Sequence, residues 1–406
     1  MSDASSQDPY IYADNAATTP LSPRALETMT PYLTESFGNP GGIHRIARDA
    51  ACALEGARAR TAELLGAHAH ELYLTSGGTE SDNWILQGAV RRHRDLNGTS
   101  RPVRVVTSAV EHHAVLHGCR MLREMGADAA MLPVDGSGRV DPASLSDALD
   151  DAERAGADVA LVSIMLANNE VGTIEDIPVL AGISHERGIP FHTDAVQAVG
   201  HIPVDVDELG VDALSLSAHK FHGPRGTGAL YLRDGFSIPP MVEGGGQERG
   251  LRSGTQDVAS AVGMAAALEE ACEDLEGRAR RVGALRDRLV STVLERTPGV
   301  RPTGEPDPRR RLPSIASFIC HDVDGELLVV LLDRAGVAAA TGSACSTGST
   351  EPSHVITAMG WDDPSWNRGT LRLSLADDVT DRDIDLLCER VPRCIERARL
   401  LSGFSR

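Results

Sequence analysis

The chain has 406 residues, enough for two domains rather than one core, with 41% hydrophobic, 24% charged and only 3% aromatic residues. Its 39 basic residues against 58 acidic ones give a net charge of −19, which opposes binding to nucleic acid or to an anionic membrane surface. Residues 1–9 lack a basic run followed by an apolar one, 159–167 is too short to cross a bilayer, and seven scattered cysteines without a CxxC pair offer neither a disulfide framework nor a zinc knuckle, so a reducing cytoplasm is expected.

In chain order, helical periodicity covers 22–35, 44–65 and 79–96, with a short β-rich run at 72–75. Further β-rich runs at 103–108, 159–166, 190–193, 213–217 and 228–232 alternate with helical segments at 114–125, 142–155 and 177–187. This alternation predicts an α/β domain with a large doubly wound, mainly parallel sheet. The pattern changes after residue 255. One long helix is expected over 258–296, then a Pro/Arg-rich connector at 297–313, a strand at 314–320, a helix at 325–334 and a strand at 337–340. A Ser/Gly loop (341–350), a strand (370–375) and a closing helix (381–400) complete a smaller α+β domain. The division expected is a large domain over 20–262 and a small one made of 1–19 and 263–406. The clusters Arg91, Arg92, Arg94 and Arg309, Arg310, Arg311 are expected on solvated faces.

Lys220 is the one lysine in a chain with 38 arginines. Guanidinium stays charged, whereas a desolvated ε-amine can lose its proton and attack a carbonyl, so a lone lysine among arginines points to chemistry. It lies in Ser-Ala-His-Lys-Phe-His-Gly-Pro-Arg-Gly (217–226), after a strand and before a Gly/Pro turn. Thr-Ser-Gly-Gly-Thr-Glu-Ser (75–81) runs from strand into helix and sets Gly77, Gly78 and Thr79 as an anion site at a helix N-terminus. Asp194 closes a strand in His-Thr-Asp-Ala-Val-Gln (192–197), and Arg-Ser-Gly-Thr (252–255) offers a further phosphate contact. An aldehyde for the amine, a phosphate for the Gly/Thr turn and a pyridinium for the aspartate together describe pyridoxal 5′-phosphate.

With these, Ala-Asp-Asn-Ala-Ala-Thr-Thr-Pro (13–20), Phe-Gly-Asn-Pro (37–40), Glu-His-His-Ala-Val (111–115), Ala-Asn-Asn-Glu-Val-Gly (167–172) and Thr-Gly-Ser-Ala-Cys-Ser-Thr-Gly-Ser-Thr-Glu-Pro-Ser-His (341–354) resemble the cysteine desulfurases, in the NifS/IscS rather than the SufS-like group. The resemblance spans nearly the whole chain and implies the type I fold of pyridoxal-phosphate transferases. It implies that Lys220 makes the Schiff base and moves the Cα proton of L-cysteine. Asp194 would pair with the ring nitrogen, Gln197 with the ring hydroxyl, and His112 would stack on the ring near the substrate thiol. Thr79, Ser217, His219 and the Gly78 N–H would hold the phosphate. Thr255 would reach the phosphate of the neighbouring subunit of a homodimer. Asn169 and Arg372 would clamp the substrate carboxylate. Cys345, in a mobile Ser/Gly loop, would take the sulfur as a persulfide, releasing alanine.

The remaining cysteines (Cys52, Cys119, Cys272, Cys320, Cys388 and Cys394) are expected to be packing residues, and His68 and His70 lack a third metal ligand. Some members of the family carry a longer tail that docks an iron–sulfur scaffold protein, whereas this sequence stops at Arg406 soon after its last helix. The acceptor is therefore left open among such a scaffold, a tRNA-thiolating enzyme and a DNA-sulfur-modifying enzyme. A related aminotransferase, selenocysteine lyase or β-lyase is the alternative enzyme, separated from the first by Cys345. A purely docking, non-enzymatic role does not call for the Asn169 and Arg372 clamp.

Overall fold

The computed structural model describes residues 9–342 and 352–402; Cys345 and most of the expected 341–350 loop lie outside the described residues. The strands are β1 (Ile11–Tyr12), β2 (Leu72–Thr75), β3 (Val103–Ser108), β4 (Ala127–Leu132), β5 (Asp158–Ser163) and β6 (Phe191–Asp194). They continue with β7 (Ala213–Ser217), β8 (Gly228–Leu232), β9 (Val300–Pro302), β10 (Ile315–Cys320), β11 (Val337–Ala338) and β12 (Thr370–Ser374). Seven form one sheet in the order β2-β8-β7-β6-β5-β3-β4, with β8 antiparallel to both neighbours and every other pairing parallel.

Every residue of β6, β7 and β8 is buried, as in strands covered by helices on both faces. Ala, Val, Leu and Ile carry the packing, consistent with the shortage of aromatics. The sheet aims the carboxyl ends of β2, β3, β5, β6 and β7 at one rim. The reversed β8 brings its start to the same rim.

The second half gathers its own core, with Phe318, Leu328, Leu371, Leu373, Leu387 and Ile395 in one cluster around the antiparallel order β12-β10-β9. Ile11 and Ala13 join this cluster, because β1 pairs in parallel with β11.

The single helix expected over 258–296 is two helices, Val258–Cys272 and Leu275–Arg296. Asp274 between them has φ 47°, a left-handed conformation that ends the first helix. The first helix puts Val258, Met264 and Leu268 into the large-sheet core, and the second puts Val282, Leu289 and Val293 into the other. The change of core thus falls at 273–274 and not at 262.

The expectation of solvated arginines holds at the exposed Arg91, Arg309 and Arg310 and fails at Arg311. Arg311 is 8% exposed rather than solvated, its Nε and Nη2 have no hydrogen-bond partner among the described residues, and burial pulls its pKa down to about 10 with help from Arg286. Arg94 donates to Met125 O at 2.8 Å, Arg91 to Pro240 O at 2.8 Å, and Arg92 lies over the Phe236 ring at 5.0 Å, so that face is stitched to neighbouring loops. Cys52 is exposed rather than packed, whereas Cys119, Cys320, Cys388 and Cys394 are buried.

One buried ion pair locks the segment before Thr255. Arg58 Nη1 and Nη2 grip Glu248 Oε2 and Oε1 at 2.6 and 2.8 Å, and both side chains are 1% exposed. Leu74 N and Gln256 Nε2 also donate to Glu248, at 2.9 and 2.8 Å. These bonds hold Glu248 and Arg249 at φ 48° and 58°, which side chains beyond Cβ seldom adopt. Removing one partner leaves the other charge buried. Arg58→Met is therefore expected to lower unfolding free energy by about 3–5 kcal/mol in denaturant melts, and Arg58→Met/Glu248→Met by less; a cost below about 1 kcal/mol for the single change would contradict the pairing.

Candidate active site

A cavity of about 510 Å³ opens at the carboxyl rim of the large sheet. It is lined by Gly78, Thr79, His112, Asn169, Asp194, Gln197, Ser217, His219, Lys220 and Arg372. The rim therefore brings together each residue named from the sequence except two: Cys345 lies outside the described residues, and Thr255 is exposed outside the lining of its own chain's cavity. Gly342, next to 343–351, also lines it.

Lys220 follows β7 on a short turn whose Phe221 N–H and Gly223 N–H both return to Ala218 O, at 3.1 and 2.8 Å. A Cβ on Gly223 would stand 2.8 Å from that carbonyl, so only glycine closes the turn. Lys220 Nζ donates to Ala16 O at 2.6 Å and Ala17 O at 3.0 Å. Gln197 Nε2 converges on the same Ala16 O at 2.8 Å.

Asp194, 4% exposed, ends β6 and accepts the Val196 N–H at 2.9 Å. Burial raises its pKa to about 6, against the pull of that N–H and of Lys220. Asp82 lines the cavity beside it; burial and Asp194 raise its pKa well above the usual range, and its Oδ1 has no hydrogen-bond partner among the described residues.

The helix Gly78–Asn97 begins at the rim with Gly77 at φ 142°. A Cβ on Gly78 would stand 2.5 Å from Val196 Cγ2, and one on Gly228 would stand 2.7 Å from Gly77 Cα. Glycine thus lets β2, β6 and β8 close around the N–H groups of the helix start, an anion cradle completed by Thr79 and Ser217. Arg252 does not serve this cradle directly: its guanidinium is taken by Glu80, at 2.7 and 3.0 Å.

His112 caps the helix His113–Glu124, its Nδ1 accepting the Ala114 N–H at 3.1 Å. The neutral ring therefore carries its proton on Nε2. Burial lowers the His112 pKa to about 4, with Lys220 adding to the effect. His219 falls to about 4 for the same two causes in the same order, and its Nδ1 is 3.1 Å from Thr18 Oγ1.

Arg372 comes from β12, in the other core. Its Nη2 pairs with Asp14 at 2.8 Å, Nη1 donates to Asn169 O at 2.9 Å, and the buried Nε has no hydrogen-bond partner among the described residues. A guanidinium in the wall of a cavity suits a carboxylate.

Three contributors had no role from the sequence. Ala16 and Ala17 act through backbone carbonyls, which residue type does not reveal, although they sit in the 13–20 motif. Arg225, at the cavity edge in Gly-Pro-Arg-Gly, was within a quoted motif but unassigned. His44 lies outside the cavity and caps its own helix through Nδ1, at 3.2 Å from Ala47 N.

Residues 11–387 match the family model described as aminotransferase class-V. The chain is 44% identical to the Methanosarcina thermophila "Cysteine desulfurase IscS" over 401 residues, covering 99% of this chain and 96% of the relative. The chain belongs to the class-V aminotransferases, in their cysteine desulfurase group. Among solved structures, a "NIFS-LIKE PROTEIN" superposes with a TM-score of 0.86 at 35% identity, covering 96% of this chain and all of the other. "SspA in complex with cysteine" superposes with a TM-score of 0.76 at 31% identity, covering 90% and 98%. The type I transferase fold and dependence on pyridoxal 5′-phosphate follow from this membership. The cavity fits that coenzyme: a glycine-lined anion cradle, a buried carboxyl and the one lysine border the same space.

A histidine whose folded pKa is depressed loses stability as pH falls from its unfolded value toward its folded one. His112 is expected to stay neutral at pH 6 and to titrate near 4 in histidine-resolved NMR of the protein without coenzyme, against its ordinary 6.5. A midpoint near 6.5 would contradict the burial described.

Proposed function

We propose that this cysteine desulfurase converts L-cysteine to L-alanine, leaves the sulfur as a persulfide on Cys345, and passes it to an acceptor protein. The observation that carries the reading is the meeting of Lys220, Asp194, His112 and Arg372 in one cavity, with Gly342 at its wall.

Asp194, Gln197, His112, Lys220 and the cradle of Gly78, Thr79, Ser217 and His219 hold the coenzyme, which supplies an electron sink for charge released at the substrate Cα. Arg372 and Asn169 bind the substrate carboxylate and so orient that carbon. The Lys220 amine then takes the Cα proton and returns one. The His112 Nε2 edge manages the proton of the substrate thiol. The Cys345 thiolate attacks the substrate sulfur; the bond from sulfur to Cβ breaks, Cβ ends with a proton, and alanine leaves. Cysteine plus thiol thus becomes alanine plus persulfide without an external oxidant.

A homodimer is the working unit in this reading. Thr255 is exposed on its own chain and free to complete a partner's cradle, and Phe37 (70% exposed) and Ile43 (92%) leave apolar surface to cover. The working division is a large domain beginning near residue 20 and a small one formed by 1–19 with the chain after 273. A cytoplasmic setting agrees with buried free thiols, and no helix among the described residues is long and apolar enough to cross a membrane. The acceptor is a protein of iron–sulfur assembly, tRNA thiolation or DNA sulfur modification.

Incubating the coenzyme-loaded protein with L-cysteine and reductant is expected to yield alanine and sulfide in equal amounts, and without reductant mass spectrometry should find one added sulfur on Cys345. Cys345→Ala should keep the coenzyme absorbance and lower alanine turnover on the order of a thousandfold. Unchanged turnover in that variant would favour a lyase that needs no thiol.

A further inference from the structure

The turn after β5 is tightly built. Ala167 bridges Ile174 across it. Asn168 Oδ1 accepts the N–H groups of Glu170 and Val171 at 2.8 and 3.0 Å, and Asn168 Nδ2 donates to Val110 O at 3.0 Å. These bonds fix the direction in which Glu170 leaves the chain.

The Glu170 carboxyl is 4% exposed and meets the chain on both sides of 343–351. Ser353 Oγ donates to Glu170 Oε2 at 2.5 Å. The same hydroxyl accepts the Ile356 N–H at 3.3 Å, capping the helix His354–Ala358. On the other side, a Cβ on Gly342 would stand 2.5 Å from Glu170 Oε2 and 3.3 Å from Ser353 Cβ. Glycine is what lets that backbone close on the carboxyl. Next in sequence, Asn169 O holds Arg372 Nη1 at 2.9 Å. One short turn therefore touches the carboxylate-binding arginine and both borders of the segment that contains Cys345.

A carboxyl so buried is costly unless its contacts serve something. Burial pushes its pKa up to about 7, against the Ser353 hydroxyl and Arg372. It lies outside the lining of the cavity.

We propose that Glu170 is a positioning residue for sulfur transfer: by gripping Ser353 and abutting Gly342, it fixes the two residues that flank the Cys345 segment in register with Arg372. It acts through those two residues, and the inference rests on the reading of Cys345 as sulfur carrier.

The test uses the full-length, coenzyme-loaded protein with Glu170→Leu, Ser353→Ala, the two combined, and the conservative Ser353→Thr. Glu170→Leu and Ser353→Ala are each expected to slow single-turnover persulfide formation on Cys345 by about ten- to a hundredfold, the range that small misplacement produces. The half-saturating cysteine concentration should stay unchanged, the double variant should be no slower than the slower single one, and Ser353→Thr should recover most of the rate. The rate of Cys345 alkylation by iodoacetamide should shift in the same variants, with or without coenzyme. Wild-type rates in both single variants, or losses that multiply in the double variant, would overturn the anchor. Wild-type protein with no sulfur on Cys345 would instead defeat the reading of that cysteine, which separates the two failures.

Discussion

The Lys220 amine is held by carbonyls from the opposite end of the chain, and the rest of the site depends on that contact. Ala16 O and Ala17 O receive its hydrogens at 2.6 and 3.0 Å. Those carbonyls are in place because 13–19 is clamped on both sides. Ser374 N donates to Ala13 O at 2.8 Å, Ala16 N donates to Ser374 Oγ at 2.9 Å, and Thr19 N donates to His219 O at 3.0 Å. Asp14 in the same segment pairs with Arg372. The amine and the proposed substrate clamp therefore share one frame, although β7 and β12 belong to different cores. Positioning of reacting groups to within a fraction of an ångström is what such a frame supplies.

Around that amine the protein concentrates acids where water is excluded. Asp194, Asp82 and Glu111 all have raised pKa values, first because of burial, with Glu111 reaching about 8. Beneath Asp194, His192 sits between Ser163 Oγ at 2.9 Å and Ser215 Oγ at 3.0 Å, and burial lowers its pKa to about 3. The ring therefore stays neutral 3.9 Å from Asp82 Oδ1 and adds no charge to this buried set. In this setting a cationic ring nitrogen of the coenzyme would favour ionised Asp194, because water does not compete for it.

Much of this was legible because each chemical demand narrows the residue choice. An amine that must attack, an acid for a ring nitrogen and a guanidinium for a carboxylate admit few substitutes, and Lys220, Asp194 and Arg372 share one cavity. Strands β2, β3, β7 and β8 fall at their expected positions: β2 and β3 carry Tyr, Thr or Val, β7 alternates Leu with Ser, and β8 is a short apolar run. β4 was not expected: Ala-Asp-Ala-Ala-Met-Leu has no β-branched residue, and it becomes a strand by pairing with β3 at the sheet edge. The break at Asp274 also escaped pattern reading, since Leu, Glu and Ala continue on both sides; a Cβ on Gly277 would stand 2.3 Å from Asp274 Oδ1, a local contact that periodicity does not register. Burial of Arg311, pairing of Arg252 with Glu80 and the roles of Ala16 and Ala17 depend on tertiary neighbours.

The most direct measurement reduces the coenzyme-loaded protein with borohydride and maps the labelled peptide. Lys220 is the only lysine, so the N-terminal amine is the sole other primary amine in the sequence. The account predicts the coenzyme mass on the peptide containing Lys220 and nowhere else. A colourless protein after loading, or label absent from Lys220, would contradict it.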